Sequence, residues 1–214
     1  MRPPDALGGR EANAWRPHVH HRSISCARRR ATCPPWVDLR EAGAESKYAA
    51  FLFRFLERSV ADGFRIKVRE YIGCRNRILS YARDRLTAND QVEPWAIINI
   101  DYRGNVSSFS PELLGHRNEN FGDFVFGNVN DDDLEACRQS TSFKKLAAAI
   151  ARGVSECSAS CQYFHFCGGG APSNKYFEEG RFDIGETLGC RFGQQIPLEV
   201  TLRFLQANDE GLRS

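Results

Sequence analysis

Hydrophobic side chains recur at helical spacing in the first half of the chain, beyond residue 45. The first apolar stripe begins near Ser46 and stops at Gly63, which predicts an amphipathic helix between them. Its members are Tyr48, Phe51, Leu52, Phe55, Leu56 and Val60. A second helical stretch is predicted over residues 67–86, with Gly73 as a weak point in its first half. We expect both stripes to pack in a hydrophobic core.

The pattern changes between residues 95 and 110, where two apolar runs flank a set of turn residues. Residues 95–101 form a β-rich run, and residues 106–110 are suited to a return strand. Arg103, Gly104 and Asn105 lie between the two runs and provide a turn signal. This arrangement predicts a β-hairpin.

Helical spacing returns in the second half of the chain. Asp132 or Asp133 is a candidate N-cap for a helix that begins at Leu134, and Gly153 is expected to end the helical pattern that follows. A final helix is predicted over residues 196–206. Together these elements predict an α+β fold, with a helical lead-in, a small β-hairpin and a loop-rich cysteine region flanked by helices.

Composition sets the first 40 residues apart from the rest of the 214-residue chain. All 15 phenylalanines lie after residue 50, whereas the first 40 residues hold eight arginines, three acidic residues and no lysine. This Pro-rich segment lacks periodicity, so we expect a disordered basic tail over residues 1–45. The metal-binding residue types within it fit no common zinc spacing; they are His18, His20, His21, Cys26 and Cys33.

The overall composition excludes several classes of protein. A net charge of +2 does not favour a specific nucleic-acid binder. No apolar run is long enough for a transmembrane helix, and the N-terminal residues lack the features of a secretory signal, so a cytoplasmic location without membrane contact is expected. In that compartment, eight cysteines favour metal binding or catalysis over disulfides.

Four cysteines have a spacing that suits a metal centre. Cys157, Cys161 and Cys167 lie within 11 residues, and Cys190 follows 23 residues later. Four thiolates suit either a tetrahedral zinc ion or a [4Fe–4S] cluster. The gap of three residues within the first pair differs from the two-residue gap of most zinc knuckles, which favours the cluster. Zinc and unliganded thiols are the alternatives.

The residues around Cys167 add to the case for a cluster. Gly168, Gly169 and Gly170 tolerate positive φ and leave backbone amides free to hydrogen-bond cluster sulfur. The aromatic neighbours are expected to shield the centre from water; they are Tyr163, Phe164 and Phe166. His165 is a further candidate ligand or a surface residue.

Two other cysteines have less specific surroundings. Cys137 is a reserve ligand, although its place in a predicted helix favours a buried free thiol. Cys74 is expected to be a small core residue.

The segment from Cys157 to Cys190, with its triple glycine after Cys167, resembles the C-terminal SPASM-type region of radical S-adenosylmethionine (SAM) peptide maturases. The residues at 101–115 and 126–129 also resemble the subgroup that installs cyclophane crosslinks in Gly-rich repeat peptides and related precursors. The similarity covers about residues 46–206. It implies a helical remnant of the barrel or linker region at 46–94, a SPASM-like domain at 95–206 and a short tail at 207–214.

The resemblance also implies a cofactor and its ligands. One auxiliary [4Fe–4S] cluster is expected on Cys157, Cys161, Cys167 and Cys190, beside the glycines at 168–170. A precursor peptide is the implied partner. No catalytic residue is predicted, and an ion pair between Lys175 and Glu186, or contact of either with peptide, is the expectation for those two residues.

The SAM-binding half of such an enzyme has no counterpart in this sequence. Its Cys-x3-Cys-x2-Cys motif is missing, and so is a barrel of about 200 residues. A cluster held by four protein thiolates offers no open iron to SAM. We therefore expect the chain to support peptide crosslinking only with a separate barrel subunit. The alternatives are a non-catalytic peptide- or protein-binding module stapled by iron–sulfur or zinc, and a non-functional truncated remnant.

Overall fold

Residues 39–81 and 88–212 are described by the computed structural model, with side chains as far as residue 208. Most of the tail predicted at 1–45, including Cys26 and Cys33, lies outside the described residues. Residues 82–87 of the second predicted helix also lie outside them.

Three helices build the first hydrophobic core. Helices α1 (Ala44–Ala61) and α2 (Arg69–Ser80) pack against α8 (Ile196–Leu212), which is far away in sequence. Helices α1 and α8 supply most of the buried apolar side chains, whereas α2 contributes through its N-cap, Val68, and the partly buried Tyr71. The buried members of this core are Leu52, Leu56, Val68, Ile196, Val200 and Phe204.

A small sheet and one long helix build the second core. Strands β1 (Ile98–Ile100), β2 (Asn105–Ser108) and β3 (Gly127–Asn128) are antiparallel in the order β1-β2-β3. Helix α3 (Leu134–Gln139) leads into α4 (Thr141–Ser160), which packs against the loop before β3. The buried members are Val106, Phe109, Leu113, Phe124, Phe126, Cys137, Phe143, Leu146, Ala149, Ile150 and Phe182.

Short helices connect the two cores. Helix α5 (Phe164–Cys167) follows α4, and α6 (Pro172–Glu179) follows α5 after a glycine turn. Helix α7 (Leu188–Cys190) continues through a π-helical turn (Arg191–Gln195) into α8. This succession of short elements carries the four cysteines of the predicted centre.

The predicted α+β class is confirmed. The hairpin forms with Ile98 opposite Ser108 and Ile100 opposite Val106. Of the two candidate caps, Asp133 accepts a hydrogen bond from the Ala136 amide at 2.7 Å. Strand β3 was not predicted, because a two-residue strand carries no periodicity.

The prediction that Gly153 ends a helix is wrong. Helix α4 runs through it to Ser160. A Cβ at this position would collide with the carbonyl oxygen of Phe182 and lie 3.0 Å from the Lys175 amine. Gly153 therefore permits close packing against α4, and the helix extends far enough to include Cys157.

Only some side chains of the apolar stripe of α1 are buried in the core, contrary to the prediction. Leu52 and Leu56 are buried, whereas the side chains of Phe51 and Val60 are 61% and 41% exposed. Phe51 stacks on Phe55, at 6.0 Å between ring centroids, and no described element covers the pair. Within the described residues, no helix is long and apolar enough to cross a membrane.

Two substitutions on α1 test this division of the stripe. Leu56→Ala should lower the free energy of unfolding by about 2–5 kcal/mol, because it leaves a cavity in the core. Phe51→Ala should change it by less than about 0.5 kcal/mol, because the ring faces solvent. Urea unfolding followed by circular dichroism measures both. Equal losses in the two variants would contradict this packing.

Candidate metal centre

All four cysteines of the predicted centre line one cavity of about 190 Å³. Cys157 is buried, and Cys161, Cys167 and Cys190 are partly buried. The walls come from α2, the segment before β1, and the region from the end of α4 to the π-helical turn. The cavity therefore lies where the two cores meet.

The gap of three residues between the first two cysteines follows from the helix that carries them. Cys157 occupies the last turn of α4, and Cys161 is its C-cap, whose amide donates to the Cys157 carbonyl oxygen at 2.9 Å. Residues four apart on a helix lie on the same face. Both thiols thus reach the cavity because α4 continues past Gly153.

The glycine run turns the chain sharply around the cavity. Gly168, Gly169 and Gly170 have φ values of 62°, 106° and 73°, a left-handed region that favours glycine. A Cβ on Gly169 would lie 3.0 Å from the Val154 side chain. The predicted need for positive φ is confirmed at all three positions.

The backbone amides of the three glycines differ in whether they have a hydrogen-bond partner. The Gly168 amide closes α5 by donating to the Phe164 carbonyl oxygen at 2.8 Å, so it is not free for a ligand. In the described part of the chain, the amides of Gly169 and Gly170 have no hydrogen-bond partner, and both residues line the cavity. Two of the three predicted glycines are thus placed to contact a bound group.

Asn89 fixes the outer side of this turn. Its side-chain amide donates to the carbonyl oxygens of Cys167 at 3.1 Å and Gly170 at 2.9 Å. Sequence reasoning missed Asn89, because nothing in its surroundings marks it as a partner of a loop 78 residues away. Only the fold brings the two segments together.

Glu178 and Thr187 hold the fourth cysteine. The Glu178 carboxylate accepts from the amides of Leu188 at 2.7 Å and Gly189 at 2.8 Å, and Thr187 Oγ1 accepts from the Cys190 amide at 3.0 Å. Unpaired amides at the start of a helix are satisfied in this way. Helix α6 thereby fixes the position of α7 and of the thiol at its end.

Two thiols of the cavity, Cys157 and Cys190, resist ionisation. Burial, with a contribution from the neighbouring Cys167, raises the pKa of Cys190 to about 11. Burial also raises the pKa of Cys157, although Lys175 acts in the opposite direction. Because Cys157 lies at the C-terminal end of α4, the helix dipole does not favour its thiolate either. These two thiols are poor sites for a free nucleophilic thiolate, and a bound cation would favour their ionisation.

Two cationic side chains face the same cavity. Lys175 donates to Cys157 Sγ at 3.4 Å, and Arg77 donates to the Phe166 carbonyl oxygen at 2.9 Å and to Gln194 Oε1 at 2.7 Å. Lys175 does not form the expected ion pair with Glu186, because Glu186 accepts a hydrogen bond from Arg191 at 2.8 Å instead. The sequence motif contains Lys175, but no pattern indicates its orientation.

The remaining candidates lie elsewhere. Cys137 belongs to the second core, and Cys74, which accepts a hydrogen bond from Arg77, is buried outside the cavity wall. His165 is exposed and packs against Tyr81. Their positions agree with the predicted buried thiols and surface histidine.

The three aromatic neighbours have different roles. Phe166 lines the cavity and stacks on Tyr81 at 4.9 Å between ring centroids. Tyr163 donates instead to the Glu199 carboxylate on α8, and burial together with this contact raises the pKa of Tyr163 to about 12. Of the predicted shielding set, Phe166 is the member that covers the centre.

Four cysteine thiols are the donor set that the cavity offers to a bound group. Among residues 39–81 and 88–212, no three histidine, cysteine or carboxylate side chains are arranged closely enough to hold a metal ion. The four thiols share the walls of the 190 Å³ cavity. Sulfur ligands of this kind hold iron–sulfur clusters.

A protein of Synechocystis sp., named as an uncharacterized protein, is 40% identical to this chain over 168 residues. Those residues are 78% of this chain and 42% of the relative, so the chain spans less than half of a protein of about 400 residues. No family model matches the sequence. No solved structure matches it either.

Glu178 provides a test of how the fourth cysteine is held. Glu178→Ala should lower the free energy of unfolding by about 1–3 kcal/mol, because it leaves the amides of Leu188 and Gly189 without an acceptor. It should also speed the alkylation of Cys190, measured by mass spectrometry. Glu179→Ala removes the neighbouring exposed carboxylate and should change neither quantity. Indistinguishable variants would show that Glu178 does not position α7.

Proposed function

We propose that this chain is the auxiliary [4Fe–4S]-binding portion of a radical SAM peptide maturase of the SPASM type. It would support the crosslinking of a precursor peptide together with a SAM-binding barrel that the 214 residues do not include. The single observation that carries this proposal is that Cys157, Cys161, Cys167 and Cys190 line one cavity, as the resemblance requires. A cytoplasmic location is part of the proposal, because a reducing compartment keeps thiols available for metal.

The size of the cavity favours a cluster over zinc. Thiolate sulfurs around zinc lie about 2.3 Å from the metal, hence about 3.8 Å from one another, and enclose only the ion. The cavity that the four thiols help to line holds about 190 Å³, a space suited to a group of several atoms. Each thiolate of a [4Fe–4S] cluster binds a different iron, so its ligands surround a volume rather than a point.

The charges around the cavity favour the same occupant. Four thiolates carry more negative charge than the iron–sulfur core carries positive charge, so the ligated cluster is an anion. Lys175 and Arg77 both face the cavity and would offset that charge. The unpartnered amides of Gly169 and Gly170 line the same wall and are donors suited to sulfide or thiolate sulfur.

The chain's own residues define what such a centre would do. With all four ligands supplied by protein, the cluster would transfer electrons and would not cleave SAM. Phe166 would limit access of water on one side, and Asn89 would hold the glycine turn in place. Asn174 and Gln91 line the cavity as uncharged polar groups and are candidates for contact with peptide.

The outer face of α1 is the candidate surface for the SAM-binding barrel. It consists of the stacked pair Phe51 and Phe55 with the basic residues Lys47, Arg54 and Arg58 around it. The Synechocystis relative has about 230 residues beyond the matched part, which is enough for a barrel domain. An exposed aromatic pair of this kind favours a protein partner.

Anaerobic reconstitution with iron and sulfide tests the proposed cofactor. The protein should bind about four iron atoms per chain and show a broad visible absorbance that bleaches with dithionite. Cys167→Ala should lose the absorbance, because three thiolates hold the cluster less well. Cys137→Ala is the matched control, since its thiol is buried in the second core, and it should keep the iron.

The opposite result is equally specific. A colourless protein with one zinc per chain and no response to dithionite would replace the proposal with the structural alternative. The metal would then only hold the end of α4 together with α5 and α7, as in small domains whose folding depends on metal binding.

The barrel contact is tested by function rather than by cofactor content. Phe51→Glu should abolish peptide crosslinking by a mixture with a separately expressed SAM-binding barrel protein, measured by mass spectrometry of the precursor. Its iron content should be unchanged. Tyr102→Glu alters an aromatic ring that is 88% exposed in the hairpin turn and should keep activity. Full activity of Phe51→Glu would contradict the proposed surface.

A further inference from the structure

Lys175 is a buried cation that two hydrogen bonds hold in position. It lies on α6, is only 5% exposed, and donates to the Gly153 carbonyl oxygen at 3.0 Å and to Cys157 Sγ at 3.4 Å. A buried ammonium group is costly unless an anion compensates it. The groups around Lys175 should therefore include the anion that compensates its charge.

No carboxylate compensates Lys175. Of the ion pairs in the described residues, none includes it. Two carboxylates of this region have other partners: Glu186, which lines the cavity, accepts from Arg191 and Gln195, and Glu178 accepts from the amides of Leu188 and Gly189. The group that remains for Lys175 is the Cys157 thiol that it contacts, in the cavity that both residues line.

The fold reserves space for this ammonium group. A Cβ on Gly153 would lie 3.0 Å from Lys175 Nζ, so even alanine in that turn of α4 would crowd the amine. The same turn supplies the carbonyl oxygen that accepts from it. Helix α4 thus provides both the glycine that admits the amine and, one turn later, the thiol that the amine contacts.

We propose that Lys175 is the counter-ion of the centre and that its charge sets the centre's reduction potential. This inference rests on the proposed iron–sulfur cluster. Reduction adds one negative charge to a group that is already anionic. A fixed cation in a poorly hydrated site stabilises the reduced form more than the oxidised form. Lys175 therefore raises the potential, and it acts as a positioning residue through Cys157.

Three variants separate charge from shape. Lys175→Met keeps the length of the side chain and removes its charge, whereas Lys175→Arg keeps the charge. Lys145→Met removes a charge from the exposed face of α4 and serves as the matched control. Each full-length protein is loaded with iron and sulfide, and its potential is measured by a redox titration followed by electron paramagnetic resonance.

Lys175→Met should shift the one-electron reduction equilibrium at least tenfold toward the oxidised form, which is a potential about 59 mV more negative. Lys175→Arg should stay close to the wild type, and Lys145→Met should match it. An unchanged potential in a loaded Lys175→Met protein would overturn the inference, because the lysine would then only tie α6 to α4.

Variants that bind no iron–sulfur cluster also give a decisive result. Loss of the cluster in Lys175→Met with retention in Lys175→Arg would support a required cation. Loss in both, with Lys145→Met loaded, would show that the shape of the lysine matters and would overturn the inference. If the wild-type protein itself binds no cluster, the proposed function fails, a result distinct from a loaded protein with an unchanged potential.

Discussion

Four thiols that share the walls of one cavity impose a constraint on everything around them. Burial and repulsion from neighbouring thiols favour the protonated forms of Cys157 and Cys190, so the ionisation of these two thiols needs positive charge beside them. A metal or cluster would supply most of that charge, and its binding would release protons from the thiols. The positions of Lys175 and Arg77 at the same cavity are consistent with an anionic occupant.

The same constraint explains the arrangement of the chain between residues 153 and 195. The cysteines lie at the ends of α4, α5 and α7, where short turns bring the thiols of three helices to one cavity. Asn89, Glu178 and Thr187 bind backbone groups of these turns and so hold the segments that carry Cys167 and Cys190. The centre lies between two separate hydrophobic cores, and binding there would tie them together.

Much of the fold and the ligand set follows from local signals in the sequence. Helical spacing predicted α1, α4 and α8, the turn at residues 103–105 predicted the hairpin, and cysteine spacing predicted which thiols share the cavity. The errors came from tertiary packing. Gly153 is a packing residue rather than a helix end, and Phe51 belongs to an apolar stripe yet has no described neighbour to cover it. The partners Asn89 and Arg77 depend on contacts across more than 75 residues, which no local pattern encodes.

X-ray absorption spectroscopy of the protein, purified without oxygen and without added metal, tests most directly whether these thiols hold a four-iron cluster. A four-iron cluster predicts an iron edge with sulfur as the nearest neighbour and other iron atoms in the second shell. A zinc edge with sulfur neighbours and no second metal would contradict the proposed cluster.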